Sequence, residues 1–241
     1  KSAGLIFISQ YAKDTISKRL KLNPYKLTII NHGVYESFYS HPKLQKDISE
    51  YTTEVPFQIL FVSSIWVYKH PVNLVKAIKL LIAKGYHIKL NIVGDNAQKK
   101  IGNQLKNEII KHSAFSHCFN WLDNINLNEV NKFYLENDLF VFTSTCENMP
   151  NILIEAMASG LPIASSNYNP MPEFLENGAV YFNPLDINDI ANCIENIIIN
   201  KNKRIEIANI SFNLAKQYSW QKCTNETFLF LSNILNKSKN V

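Results

Sequence analysis

The chain has 241 residues, 46% hydrophobic and 19% charged, with a net charge of +5 and an isoelectric point near 8.9. That is enough apolar material for one or two cored domains, and the apolar runs are strand-sized, which speaks against a membrane-spanning segment. The lysines are scattered without an aromatic-interleaved patch, so nucleic acid is not expected as a partner, while the basic balance suits a phosphorylated ligand or an anionic lipid surface.

In chain order, "GLIFIS" (4–9) reads as a strand, "QYAKDTISKRL" (10–20) as a helix, and "KLTIINHGV" (26–34) as a second strand ending in a glycine turn. Two strands and one helix cannot close a core. They are expected either to need a partner sheet outside this chain or to dock on the main domain. The opening "KSAGLIFISQ" lacks the order of a signal peptide and starts with Lys1, so the sequence reads as beginning mid-protein. Residues 40–56 are polar and read as a linker.

From residue 57 the pattern changes. "FQILFV" (57–62) reads as a buried strand and "PVNLVKAIKLLIAKG" (71–85) as a helix stopped by Gly85. The alternation continues with a strand at 88–94, a helix at 103–113, a strand at 117–122 and a helix at 126–137. A strand at 139–144, a helix at 151–160, and strands at 162–166 and 179–183 follow. Three helices, 186–200, 201–217 and 220–236, end the chain. Strands separated by helices imply right-handed crossovers and a parallel sheet, and continuously apolar strands agree, because both faces of such a sheet are covered. The expected class is α/β, a Rossmann-like doubly wound parallel sheet. Cys118, Cys146, Cys193 and Cys223 form no CxxC pair and read as buried reduced thiols of a cytosolic protein.

Ligands of an open parallel sheet bind beyond the carboxyl ends of its strands. Lys69 lies there, just before the helix at 71, where a cation opposes the helix dipole; a bound diphosphate would favour it, and an exposed surface lysine is the plainer alternative. Neither GxGxxG nor a Walker sequence occurs, which argues against NAD-type and P-loop chemistry. The stretch "CENMPNILIEAMASGLP" (146–162) carries two glutamates, Glu147 and Glu155, eight positions apart. In one continuous helix they would lie about 12 Å apart, but Pro150 disfavours a helix before it. Glu147 is therefore expected in the loop and Glu155 one turn into the helix, both facing one crevice. The first amides of that helix, Asn151 and Ile152, would suit an anion. A buried Glu155 needs donors: a ribose diol would supply them, and a half-exposed helical glutamate is the alternative.

Taken in order, "ILFVSSIWVYKH", "LNIVGD", "NDLFVFTSTCEN", "CENMPNILIEAMASGLPIASS", "MPEFLENGAVYFNP" and "YSWQKCTNETFLFL" resemble glycosyltransferase family 4, retaining enzymes of the GT-B fold, over roughly residues 54–236. "IFISQYAKDTI" and "LTIINHGVYESFY" resemble the end of that family's amino-terminal domain and its linker. The resemblance implies an end of the acceptor domain plus linker at 1–50, a donor-binding Rossmann-like domain at 51–219, and a terminal helix at 220–241 packing back. By position, Lys69 would bind donor phosphate, Glu147 the hydroxyls of the transferred sugar and Glu155 the ribose. Asn148, Met149, Asn151 and Ile152 would hold sugar and diphosphate, and Gly94 and the "FNWL" segment would lie near the base. Ser64 stands where the family usually has an arginine, so either one phosphate contact is lost or another residue replaces it. No metal or other cofactor is expected, since neither Asp-x-Asp nor a histidine cluster occurs. The implied partners are a nucleotide-diphosphate sugar and a saccharide or lipid-linked acceptor in polysaccharide, lipopolysaccharide or capsule synthesis. The implied location is cytoplasmic, with peripheral contact at the inner face of the membrane. The 241-residue chain alone is expected to be inactive, which leaves a nucleotide-sugar binding module without turnover as an alternative.

Overall fold

The computed structural model describes residues 2–111, 113–123 and 125–239; Lys1 lies outside them. Its centre is a six-stranded, all-parallel sheet. The strands are β3 (Phe57–Val62), β4 (Ile88–Val93), β5 (Phe119–Leu122), β6 (Leu139–Phe142), β7 (Ile163–Ser166) and β8 (Val180–Phe182), in the order β5-β4-β3-β6-β7-β8. The chain starts in the middle, builds outward to one edge, then returns beside β3 and builds to the other.

The helices cover both faces. They are α2 (Pro71–Ala83), α3 (Lys99–Ile110), α4 (Leu127–Glu136), α5 (Asn151–Ala158), α6 (Met171–Leu175), α7 (Ile187–Ile199) and α8 (Lys201–Ala215). The two-residue period of β3 divides its side chains between two cores. Phe57, Ile59 and Phe61 pack with Leu74, Ile78 and Leu81 of α2 and Ile190, Ile194 and Ile197 of α7. Leu60 and Val62 pack with Tyr134 of α4, Leu153 and Met157 of α5, and Phe174 of α6. Burial on both faces is why the strand reads as continuously apolar.

A second, two-stranded parallel sheet joins β1 (Leu5–Phe7) to β2 (Leu27–Ile29), with α1 (Gln10–Ser17) between them. The last helix, α9 (Trp220–Lys239), returns to it: a side chain at Gly4 would meet Phe230 Cζ at 2.8 Å and Ile234 Cδ1 at 3.0 Å. The outgoing and returning segments touch where they cross. Val34 bridges Ser219, and a Cβ on Gly33 would lie 2.0 Å from the backbone nitrogen of Trp220, so only glycine fits.

Several elements differ from the sequence expectations. The stretch at 40–56 is anchored: Gln45 and Tyr51 are buried, and the fully buried Arg204 donates to Gln45 Oε1 at 3.1 Å, to the Lys46 carbonyl and to Ile197 O at 2.8 Å. Helix α3 begins at Lys99 rather than 103 and takes in Gly102, where a Cβ would collide with the Asn96 side chain. Helix α6 was not expected at all. Of the four thiols only Cys193 is buried; Cys146 is exposed, and Cys118 and Cys223 are intermediate. Among the described residues no helix is long and apolar enough to cross a membrane.

Candidate active site

The strand order places a topological switch point between β3 and β6, where successive connections diverge to opposite edges of the sheet. Crevices beyond the carboxyl ends of such strands are the usual ligand sites of this architecture. The two loops bordering the crevice run from Ser63 to His70 and from Thr143 to Pro150.

These loops are stitched together by polar contacts. Thr143 Oγ1 donates to the Lys69 carbonyl, and the Thr145 amide donates to Tyr68 O at 2.9 Å. His70 Nε2 lies 3.0 Å from Thr145 Oγ1. His70 takes the left-handed conformation, φ 48°, which ends the short 3₁₀ turn Val67–Lys69 and lets Pro71 open α2. Burial lowers the His70 pKa from its ordinary value, favouring the neutral ring.

That framework aims Lys69 back across the crevice. Its ammonium forms an ion pair with Glu147 Oε1, and the two side chains are 11% and 13% exposed. Lys69 is thus a buried cation, not the exposed surface lysine of the plainer reading. The Lys69 ammonium lies 5.4 Å from each of the Tyr68 and Phe142 ring centroids.

Helix α5 starts at Asn151 as the proline argument requires, and its N-cap, Pro150, supplies no side-chain cap. The Leu153 amide turns back to Pro150 O at 2.9 Å, so it is the amides of Asn151 and Ile152 that are left to other acceptors. Glu155 sits one turn in, where Tyr134 Oη donates to its Oε2 at 3.0 Å. Burial raises the Glu155 pKa and the tyrosine hydrogen bond opposes that rise. The structure thus joins Lys69 to Glu147 directly, while Glu155 is held separately through Tyr134.

The loop between the two glutamates is gripped from the amino-terminal segment. Ser9 Oγ donates to Asn148 Oδ1 at 3.0 Å, the His32 amide to Met149 Sδ at 3.1 Å, and His32 Nδ1 pairs with Asn151 Oδ1 at 3.1 Å. Glu173, the middle residue of α6, accepts from the amides of Gln10 and Tyr11 at 2.7 and 2.9 Å. Ser64 is exposed at the end of β3 and borders Gly94, whose carbonyl accepts from Trp121 Nε1 at 3.0 Å. Ile152, on the first turn of α5, gives its carbonyl to Tyr134 Oη at 3.3 Å. Among the described residues no group of three or more histidine, cysteine or acidic side chains is placed to hold a metal.

Tyr134, His70, Ser9, His32 and Glu173 escaped the sequence reading. A tyrosine at the apolar periodicity of α4 carries no signal beyond core packing. Only the fold shows that His70 meets Thr145, that Ser9 and His32 meet the loop between the two glutamates, and that Glu173 meets the start of α1.

Residues 42–213 match the family described as Glycosyl transferases group 1. The chain belongs to that family. It is 25% identical over 237 residues to the UDP-Gal:alpha-D-GlcNAc-diphosphoundecaprenol alpha-1,3-galactosyltransferase of Escherichia coli, covering 88% of this chain and 57% of that one. It is 25% identical over 193 residues to the O-antigen chain mannosyltransferase RfbU of Salmonella typhimurium, covering 80% and 50%. Among solved structures, Anabaena HepE in complex with UDP and glucose superposes with a TM-score of 0.81 at 18% identity, over 96% of this chain and 63% of that one. A glycosyltransferase from Rickettsia africae gives 0.80 at 18%, over 96% and 63%. The fold is thus the parallel, helix-flanked sheet of GT-B glycosyltransferases. The chain spans 57% and 62% of the length of the first curated relatives it matches.

Proposed function

We propose that the chain is the donor-binding half of a retaining glycosyltransferase of family 4, which moves a sugar from a nucleotide-diphosphate sugar to a hydroxyl acceptor in polysaccharide, lipopolysaccharide or capsule synthesis. The observation that carries this reading is the Lys69–Glu147 ion pair at the switch point, beside the uncapped start of α5. Breaking the bond between sugar and diphosphate places positive charge on the sugar ring and extra negative charge on the diphosphate. Lys69 and the first amides of α5 (Asn151, Ile152) would meet the negative charge, aided by the helix dipole. Glu147, released from Lys69 as the diphosphate arrives, would meet the sugar hydroxyls and the developing positive charge. Asn148 and Met149 would line the sugar end, Glu155 would accept from the ribose hydroxyls, and Ser64 and Gly94 would border the nucleotide.

Relatives named for galactosyl and O-antigen mannosyl transfer support the pathway class. The acceptor would be a saccharide or a lipid-linked saccharide, met at the inner face of the membrane. A second reading, a nucleotide-sugar binding module without turnover, is favoured for this chain by its covering only about 57% of a relative's length. Thermal unfolding with UDP, GDP and their sugars tests the donor site, because a ligand that binds only the folded state raises the midpoint. An unmoved midpoint with every nucleotide would defeat both readings. Transfer by the protein together with the remaining domain, against none by the chain alone, separates them.

A further inference from the structure

Glu155 is the one acidic group on α5, and it is partly buried among the fully enclosed side chains that flank it. Its hydrogen-bond partner, Tyr134, is fully buried. The tyrosine ring is fixed on two sides: Phe38 meets it edge-on at 5.7 Å and Phe140 lies tilted at 5.8 Å. Helix α4, which carries it, is pinned one turn later, where the buried Asn137 donates to Phe133 O at 2.7 Å and accepts from Asn91 Nδ2 at 2.8 Å. A ring held this way has little freedom, so the position of its hydroxyl is set before any ligand arrives.

The consequence lies in the lone pairs. A carboxylate offers about four acceptor sites on two oxygens. The single Tyr134 hydroxyl proton has the Ile152 carbonyl at 3.3 Å and Glu155 Oε2 at 3.0 Å; along the shorter, charge-assisted line it occupies one of the sites on Oε2. Among the described residues no other side chain donates to the carboxylate, which leaves Oε1 and the remaining lone pair of Oε2 side by side, the spacing that two neighbouring hydroxyl donors require. Tyr134 does not compete as an anion, since burial and the Glu155 charge both raise its pKa.

We infer that Tyr134 is a positioning residue that presets Glu155 for a vicinal diol, so that the site selects ribonucleoside over 2′-deoxyribonucleoside diphosphates. The inference rests on the donor-site reading above. A ribose fills both free positions. A 2′-deoxyribose leaves one unfilled on a partly buried carboxylate, and an unmet charged acceptor is the more expensive omission.

Calorimetric titration of the chain with UDP and with 2′-deoxy-UDP tests this, and GDP with 2′-deoxy-GDP serves if guanine is the base. The wild type is expected to prefer the ribo form by about tenfold, the scale of one charge-assisted hydrogen bond. Tyr134→Phe, which keeps the ring and its packing, should lose about tenfold in affinity for UDP, leave 2′-deoxy-UDP nearly unchanged, and so bring the ratio toward one. Glu155→Ala should collapse the ratio in the same way, and adding Tyr134→Phe to it should do nothing more. Equal weakening of both nucleotides in Tyr134→Phe would reduce the tyrosine to a packing role and overturn the inference. So would additive losses in the double variant, or a wild type that does not distinguish the two sugars. A wild type that binds neither UDP nor GDP would instead remove the donor-site reading, and this inference with it.

Discussion

Lys69 and Glu147 meet as an ion pair although they come from loops after different strands, and it is the adjacency of β3 and β6 that makes them neighbours. Each is at most 13% exposed, so removing one partner strands the other in a poorly hydrated place. Lys69→Met alone should therefore cost about 1–3 kcal/mol in urea unfolding, and Lys69→Met with Glu147→Gln should recover most of it. Sugar transfer by the complete enzyme should fall on the order of 10²-fold or more in either single variant, without recovery in the double. Recovery of stability without recovery of transfer would mark a pair kept for chemistry. A double variant with full transfer would show the pair to be structural only.

The raised pKa of Glu155 fixes the sign of a pH effect. The folded state holds the Glu155 proton more tightly than the unfolded chain does, whose value is near 4.5. Keeping this group ionised therefore opposes folding at neutral pH, and the opposition fades as pH falls through the folded value and is gone below the unfolded one. Glu155→Gln removes the charge and should make the chain more resistant to urea than the wild type at about pH 7.5, with the advantage shrinking as pH approaches 4.5. The same substitution should weaken UDP binding at neutral pH. An advantage that grew on acidification would show that the carboxylate is held by favourable contacts rather than opposed by burial.

Glu173 tests how the amino-terminal segment is held. Its carboxylate accepts from the Gln10 and Tyr11 amides at the start of α1, where Ser9 Oγ already accepts from Ala12 N at 3.1 Å. Glu173→Ala removes both bonds and a negative charge from the positive end of the helix, a loss of about 1 kcal/mol or less at this exposure. Hydrogen exchange should speed up at residues 10–12 and across the Ser9–Asn148 contact, with the central strands unchanged. Unaltered exchange in α1 would show that Glu173 does not hold the start of this helix, and that the Ser9–Asn148 contact and the α9 packing against Gly4 suffice.

What the sequence revealed divides along the range of the interactions. Strand 57–62 and helix 71–83 were legible because their patterns are local, and Pro150 alone sufficed to place Glu147 in a loop and Glu155 on a helix. The pairing of Lys69 with Glu147 was not legible, because it depends on β6 lying beside β3 rather than at an edge, and periodicity does not specify strand order. Tyr134 was hidden by its own suitability for the core: its spacing is that of a packing residue, and its hydroxyl partner lies on another helix. Ser9, His32 and Glu173 act across more than a hundred positions of sequence. The left-handed His70 lacks the glycine or asparagine that usually announces such a turn.

Gly94 and Gly85 form a matched pair. Both have positive φ, 142° and 98°, so alanine is strained at either. They differ in what the new methyl group would meet. At Gly85 nothing lies within 4 Å, whereas at Gly94 a Cβ would fall 2.1 Å from the Ser63 carbonyl oxygen and 3.1 Å from the Ser64 nitrogen. Gly85→Ala should therefore cost only the backbone strain, about 1 kcal/mol. Gly94→Ala adds a clash with backbone that cannot swing aside, and the ends of β3 and β4 must part, for a total of about 3 kcal/mol or more. The same movement displaces Ser63 and Ser64 at the mouth of the crevice, so Gly94→Ala should also lose affinity for UDP while Gly85→Ala keeps it. Urea midpoints at unchanged slope, with a UDP titration of each variant, check both halves. Equal losses of stability would show that close approach at Gly94 is unimportant, and full UDP affinity in Gly94→Ala would place the nucleotide away from this turn.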